Sequence, residues 1–239
     1  MSETPATPAL PATPGQTIGP FFGYALPYDK GELLVPLGHP QAVRLHGTVT
    51  DGHGDLVPDA MLEIWQADGN GDVPTATGSL VRDGYTFTGF GRASVDNEGH
   101  YTFTTVDPGP TEPGKAPFIT LTVFARGVTN RLFTRIYLPE DTEALANDPL
   151  LRSLPEDRRR TLVAEREADG SLRFDLRLQG EGETVFLTYP NLQALPFRAR
   201  APAAPGPPHG TTPPRTTRRP PKEDAHDRRR AAPPRSPPG

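Results

Sequence analysis

Between Val43 and Tyr189 the chain repeatedly alternates apolar with polar residues at a period of two, the spacing of a strand that buries one face. Val43, Leu45, Gly47 and Val49 keep this rhythm. It breaks at Asp51-Gly52-His53-Gly54 and resumes in Met61-Leu62-Glu63-Ile64-Trp65, which predicts a β-hairpin or an adjacent strand pair. The segment HYTFTTV lies between the turns Asp96-Asn97-Glu98-Gly99 and Asp107-Pro108-Gly109-Pro110 and predicts another strand. APFITLTVFARG, residues 116–127, reads as a buried strand in which Phe118, Ile119, Leu121, Val123 and Phe124 suit a core. It ends, unexpectedly for so apolar a run, on Arg126.

Leu132 to Leu138 predicts a further strand, stopped by Pro139. Residues 140–160 hold the helix-like material, short turns broken by Pro149 and Pro155. After them comes a predicted hairpin across Ala168-Asp169-Gly170-Ser171 and a closing strand from Thr184 to Tyr189. Strands at this spacing, with Gly and Asp turns, predict an all-β Greek-key sandwich with short helical excursions.

Composition sharpens the division of the chain. The 31 prolines in 239 residues disfavour a helix bundle, and 12 of them fall in residues 199–239, a Pro/Arg-rich tail expected to be disordered. Residues 1–14 predict an extended arm and residues 15–198 the sandwich domain. QTIGPFFGYALPY, at the start of that domain, sets aromatics on a Gly-Pro frame and predicts an ordered strap packed on something else.

The net charge of −4 is an average, because nine basic and three acidic residues give the tail +6 and leave residues 1–198 at −10. An acidic body argues against nucleic-acid binding. The N-terminal sequence lacks the basic and apolar regions of a secretion signal, and no apolar run reaches the roughly 20 residues of a membrane span, so a cytoplasmic, soluble protein is expected.

With no Cys there is neither a thiolate metal site nor a thiol nucleophile. None of the six His residues forms an H-x-H or H-x-x-x-H pair, and His46, on a strand, suits a packed residue better than a ligand. Asp59, Glu63 and Asp68 around Trp65 are read as turn and strand-edge residues. For Arg126 an ion pair or a strand end reaching solvent is the plain reading.

Taken together, QTIGPFF, DGHGDLVPDAMLEIWQAD, GRASVDNEGHYTFTTVDPGP, APFITLTVFARG, TRIYL and QGEGETVF resemble the intradiol ring-cleavage dioxygenases over about residues 15–190. The resemblance implies a β-sandwich and an activity in which a ferric non-haem iron, held by two Tyr and two His, prepares a catechol for cleavage by O2. The ending RFDLRLQGEGETVFL is most similar to the family's alpha-type chains.

Here the implied ligand positions carry other residues. Phe118 and Thr120 stand where an H-x-H is expected, Thr111 follows the Pro-Gly-Pro turn in place of a Tyr, and the second Tyr falls near Ser79, with Tyr85 off register. The resemblance therefore implies a non-iron alpha subunit, inactive alone, with the iron on a partner beta subunit and 3,4-dihydroxybenzoate and O2 as substrates.

By the same resemblance Arg126, Thr17, Gly19, Pro20 and Phe21 contribute to substrate binding, with Arg126 facing the carboxylate; for Gly19 and Pro20 a packing role stays open. Two other readings remain: a non-catalytic transthyretin-like scaffold, and a homomeric catechol-cleaving enzyme.

Overall fold

The computed structural model describes residues 19, 21–75 and 82–189. The predicted arm and tail, together with Thr17, Pro20 and Ser79, lie outside the described residues. Nine strands form: β1 Val43–Thr50, β2 Met61–Trp65, β3 Phe90–Ser94, β4 His100–Thr105, β5 Phe118–Phe124, β6 Leu132–Tyr137, and the short β7 Glu165–Arg166, β8 Leu172–Arg173 and β9 Leu176–Arg177.

They make two sheets. One runs β4-β1-β8-β7 with β9 also on β1, and the other runs β3-β2-β5-β6. Leu45, Val49, Tyr101, Phe103 and Leu172 of the first sheet share one core with Leu62, Ile64, Ile119, Leu121, Val123 and Ile136 of the second. The molecule is thus a two-layer β-sandwich in which the period-two pattern supplies both inner faces. Each such fully buried side chain contributes roughly 1.5–3 kcal/mol of hydrophobic stabilisation.

The predicted hairpin between β1 and β2 is not formed, because the two strands lie in different sheets. After β1 the chain folds back only briefly. Asp51 Oδ1 accepts from the backbone N–H groups of His53 and Asp55, and the Val57 N–H donates to the Val49 carbonyl at 2.9 Å. Pro58 follows, has no N–H to extend the ladder, and the chain crosses to the second layer. Alternation says which face of a strand is buried, and two strands that face each other across a core show the same alternation as two that pair.

The hairpin across residues 168–171 does form, with Glu165 opposite Arg173 and Arg166 opposite Leu172. The closing strand at Thr184 to Tyr189 does not. That segment is extended, but the Thr184 N–H donates to Arg177 in one sheet and the Leu187 N–H to Phe133 in the other, so it bridges the two edges instead of joining either ladder.

Among the described residues there are also four short helices: α1 Phe22–Ala25, α2 Thr142–Asn147, α3 Pro149–Arg152 and α4 Glu156–Arg160. Asp141 caps α2 through the Ala144 N–H, and Asp148 caps α3 through Leu150 and Leu151. Ala144 and Leu151 of these helices pack with Ala116, Tyr137, Leu162 and Val185 in a second, smaller core. Among the described residues no helix is long and apolar enough to cross a membrane.

Candidate functional site on the outer face of the second sheet

β5 is two-faced. Ile119, Leu121 and Val123 point into the sandwich, and Phe118, Thr120, Thr122 and Phe124 alternate with them toward the outer face, where they are only partly buried. The apolar residues of this strand therefore serve two environments, and Phe118 and Phe124 are not in the main core as the sequence suggested. The reason is that the outer face is itself covered at both ends, by α1 at one and by the second core at the other.

Antiparallel pairing puts Thr120 opposite Trp65, Thr122 opposite Glu63, and Phe124 opposite Met61. The pairing stops there, and Asp59 and Arg126 lie in turns two residues beyond it, before Met61 and after Phe124. The side chains meet, with Arg126 Nε 3.0 Å from Asp59 Oδ2. The Arg126 side chain is 63% exposed and that of Asp59 only 19%. The guanidinium therefore ends the outer row of β5 at the surface and is not buried in the strand. In this chain it makes the ion pair that the plain reading of the sequence expected.

The strap reaches the same end of the sheet. The Phe22 ring centre lies 6.3 Å from that of Phe124, Ser94 Oγ donates to the Gly23 carbonyl at 3.2 Å, and Met61 beside them is fully buried. Arg92 fastens the strap. Its Nε and Nη2 donate to Glu63 Oε1 at 2.8 and 2.6 Å, its Nη1 donates to the Leu26 carbonyl at 2.7 Å, and its guanidinium lies 5.7 Å from the centre of the Tyr28 ring. Sequence reasoning missed this clamp and passed over Asp59. The signal for both is cross-strand register, which pairs Glu63 with Arg92 and projects Asp59 onto Arg126.

Of the strap residues singled out from the sequence, Phe21 is 78% exposed and Gly19 is exposed with open space around it. The structure thus brings the strap to the end of the sheet that carries Arg126, while Gly19 and Phe21 themselves face outward.

The other end of the outer row holds Phe118 and Thr120. Arg135, opposite Thr120 on β6, sets its guanidinium carbon 4.1 Å from the centre of the Phe118 ring, and its Nη1 donates to the Tyr137 hydroxyl at 3.2 Å. The Tyr137 hydroxyl in turn donates to Asp148 Oδ1 at 3.1 Å. Burial is the main cause that pushes the Tyr137 phenol up to about 12, against the smaller opposing pull of Arg135.

These residues do not fit a ferric ion. Phe118 has no donor atom, Thr120 and the exposed Thr111 offer neutral hydroxyls, and a guanidinium stands over Phe118. Tyr85 is 95% exposed on a loop. Among the described residues no group of three or more His, Asp or Glu is placed to hold a metal.

The loop that leads into Thr111 is tightly packed. The Gly109 N–H donates to the Asp68 carbonyl at 2.7 Å, and Gly71, at φ +90°, packs so tightly on the Pro110 carbonyl that a Cβ would clash. His46, on the first sheet, is packed and hydrogen-bonded to Glu167 at 2.9 Å, as the sequence suggested.

The family model described as Dioxygenase matches residues 17–180. The protocatechuate 3,4-dioxygenase alpha chain of Burkholderia cepacia is 42% identical over 193 residues, which span 74% of this chain and 97% of the relative. The alpha chain of the same enzyme from Pseudomonas putida is 40% identical over 204 residues, spanning 75% of this chain and 98% of that one. The protocatechuate 3,4-dioxygenase beta chain of Burkholderia cepacia is more distant, at 30% identity over 183 residues, 66% of this chain and 74% of the relative. With its sandwich, its strap and its alpha-type likeness, the chain belongs to the Dioxygenase family as an alpha subunit of an intradiol dioxygenase.

Proposed function

We propose that this chain is the non-iron alpha subunit of a cytoplasmic protocatechuate 3,4-dioxygenase, assembled with a beta subunit of the same fold that holds the ferric iron. The complex cleaves 3,4-dihydroxybenzoate with O2 to 3-carboxy-cis,cis-muconate in the β-ketoadipate route, and the chain alone is inactive. The names of the alpha and beta relatives support this reading.

The observation that carries it is the separation of Arg126 from this chain's own vestigial ligand position. Phe118 opens β5 and Arg126 lies in the turn just past its end at Phe124, eight residues on and up to roughly 26 Å away at the rise of a strand. A guanidinium so far along the sheet suits the carboxylate of a substrate seated on another chain better than one seated at Phe118. The iron of that chain supplies the chemistry of ring cleavage. This chain supplies a cation that binds and orients the carboxylate, and Thr17, Gly19, Pro20 and Phe21 contribute to substrate binding. The exposed Phe21 ring beside α1 suits a surface that a partner covers.

The test is Arg126→Ala in the co-expressed complex. Loss of a charge-assisted contact of about 1.5–3 kcal/mol predicts a KM for protocatechuate raised roughly 10- to 100-fold. The KM for catechol, which lacks the carboxylate, stays the same, as does assembly. An unchanged KM for protocatechuate would remove Arg126 from the site.

A further inference from the structure

Arg126 is 63% exposed, and a long guanidinium at the surface samples many rotamers, so a carboxylate that captures it must offset the entropy of ordering it. Asp59 already restrains it. The two meet just beyond the paired ends of β2 and β5, and the contact is made by Nε, the nitrogen nearest the backbone, at 3.0 Å. Among the described residues neither Nη group of Arg126 has an acceptor, and Asp59 makes no other ion pair.

Asp59 has little room to leave this place. It lies two residues before β2, a Cβ added at Gly23 of the strap would touch its carbonyl, and its Oδ2 is sheltered from solvent. That oxygen lies within ion-pair distance of Nε but out of line with any hydrogen-bond donor, so the Arg126 charge offsets its desolvation without a directed bond. A carboxylate in this state has no competing partner to turn toward.

We infer that Asp59 is a positioning residue for substrate recognition: it fixes Arg126 through Nε and leaves the paired Nη edge aimed for the substrate's carboxylate. The inference rests on the role proposed for Arg126. One guanidinium can serve both carboxylates, because Nε and the Nη pair present separate donor edges.

The experiment compares Asp59→Asn and Asp59→Ser in the co-expressed complex, with protocatechuate and catechol as substrates. With one ordered side chain set free, the KM for protocatechuate rises about 3- to 10-fold, kcat holds, and the KM for catechol does not change. In an Arg126→Ala background the Asp59 substitutions produce no further rise. A purely structural role would lower the melting temperature and leave the ratio of the two KM values where it was, which overturns the inference. A fall in the KM for protocatechuate also overturns it, since Asp59 would then compete with the substrate. If Arg126→Ala raises KM and the Asp59 variants do not, only this inference fails. If Arg126→Ala has no effect, the functional reading fails and takes this one with it.

Discussion

The guanidinium of Arg135 stacks on the ring of Phe118 at 4.1 Å, across the β5–β6 pair, at the position where an iron-binding relative is expected to present histidine. A cation and an apolar ring thus stabilise this end of the outer row. The pair is linked onward through Tyr137 to Asp148 and the start of α3, which ties it to the second core.

That linkage has a measurable strength. A partly desolvated cation–π contact contributes about 1–2 kcal/mol, so Arg135→Gln and Phe118→Leu are each expected to destabilise the protein, and their double variant to show a coupling of about 1 kcal/mol in denaturant unfolding. Additive effects would mean that the stacking contributes nothing.

Arg92 is predicted to govern the strap. Its ion pair with Glu63 is mostly sheltered, with side chains 17% and 20% exposed, and it also holds the Leu26 carbonyl. Arg92→Ala leaves the Glu63 carboxylate uncompensated and is expected to cost about 2–4 kcal/mol. It should also make the chain around residues 21–28 cleave faster in limited proteolysis. Equal cleavage rates in the variant and the parent would show that the strap is held by its aromatic packing alone.

The Tyr137 phenol predicts one limb of the pH–stability curve. Its folded value lies at about 12 against an ordinary 10.0, so the stabilisation it provides is complete below pH 10 and is lost as the pH rises through the folded value. Tyr137→Phe should therefore flatten the fall in stability between about pH 10 and 12. Tyr101, buried and donating to the Phe174 carbonyl, is likewise raised and leaves a residual slope in both proteins. An identical alkaline limb in the variant would contradict the assignment.

How much of this was legible in the sequence varies with the distance over which information must travel. Strands β1, β2, β4, β5 and β6 and the hairpin at residues 168–171 follow from local alternation and turn chemistry, whereas β3, short and carrying Gly91 and Arg92, was not foreseen and the expected closing strand at Thr184 to Tyr189 does not form. Whether Met61–Trp65 pairs with Val43–Thr50 or faces it across the core depends on layer choice, which alternation does not encode. The outward facing of Phe118 and Phe124 was hidden because α1 and the second core make the outer face partly apolar too. Arg126 could be named from its motif, but its partner Asp59 lies 67 positions earlier and becomes visible only once Met61 is known to sit opposite Phe124. The strap was recognisable from its aromatics on a Gly-Pro frame, whereas its clamp, Arg92 on Glu63, again needed the register of β2 and β3.

The central claim, that this chain serves a metal it does not hold, is tested most directly by iron analysis of the purified chain beside its co-expressed complex with an iron-binding beta chain. The account predicts bound ferric iron, the tyrosinate charge-transfer colour and protocatechuate cleavage in the complex, and none of the three in the chain alone. Ferric iron bound by the chain alone, with that colour, would contradict it.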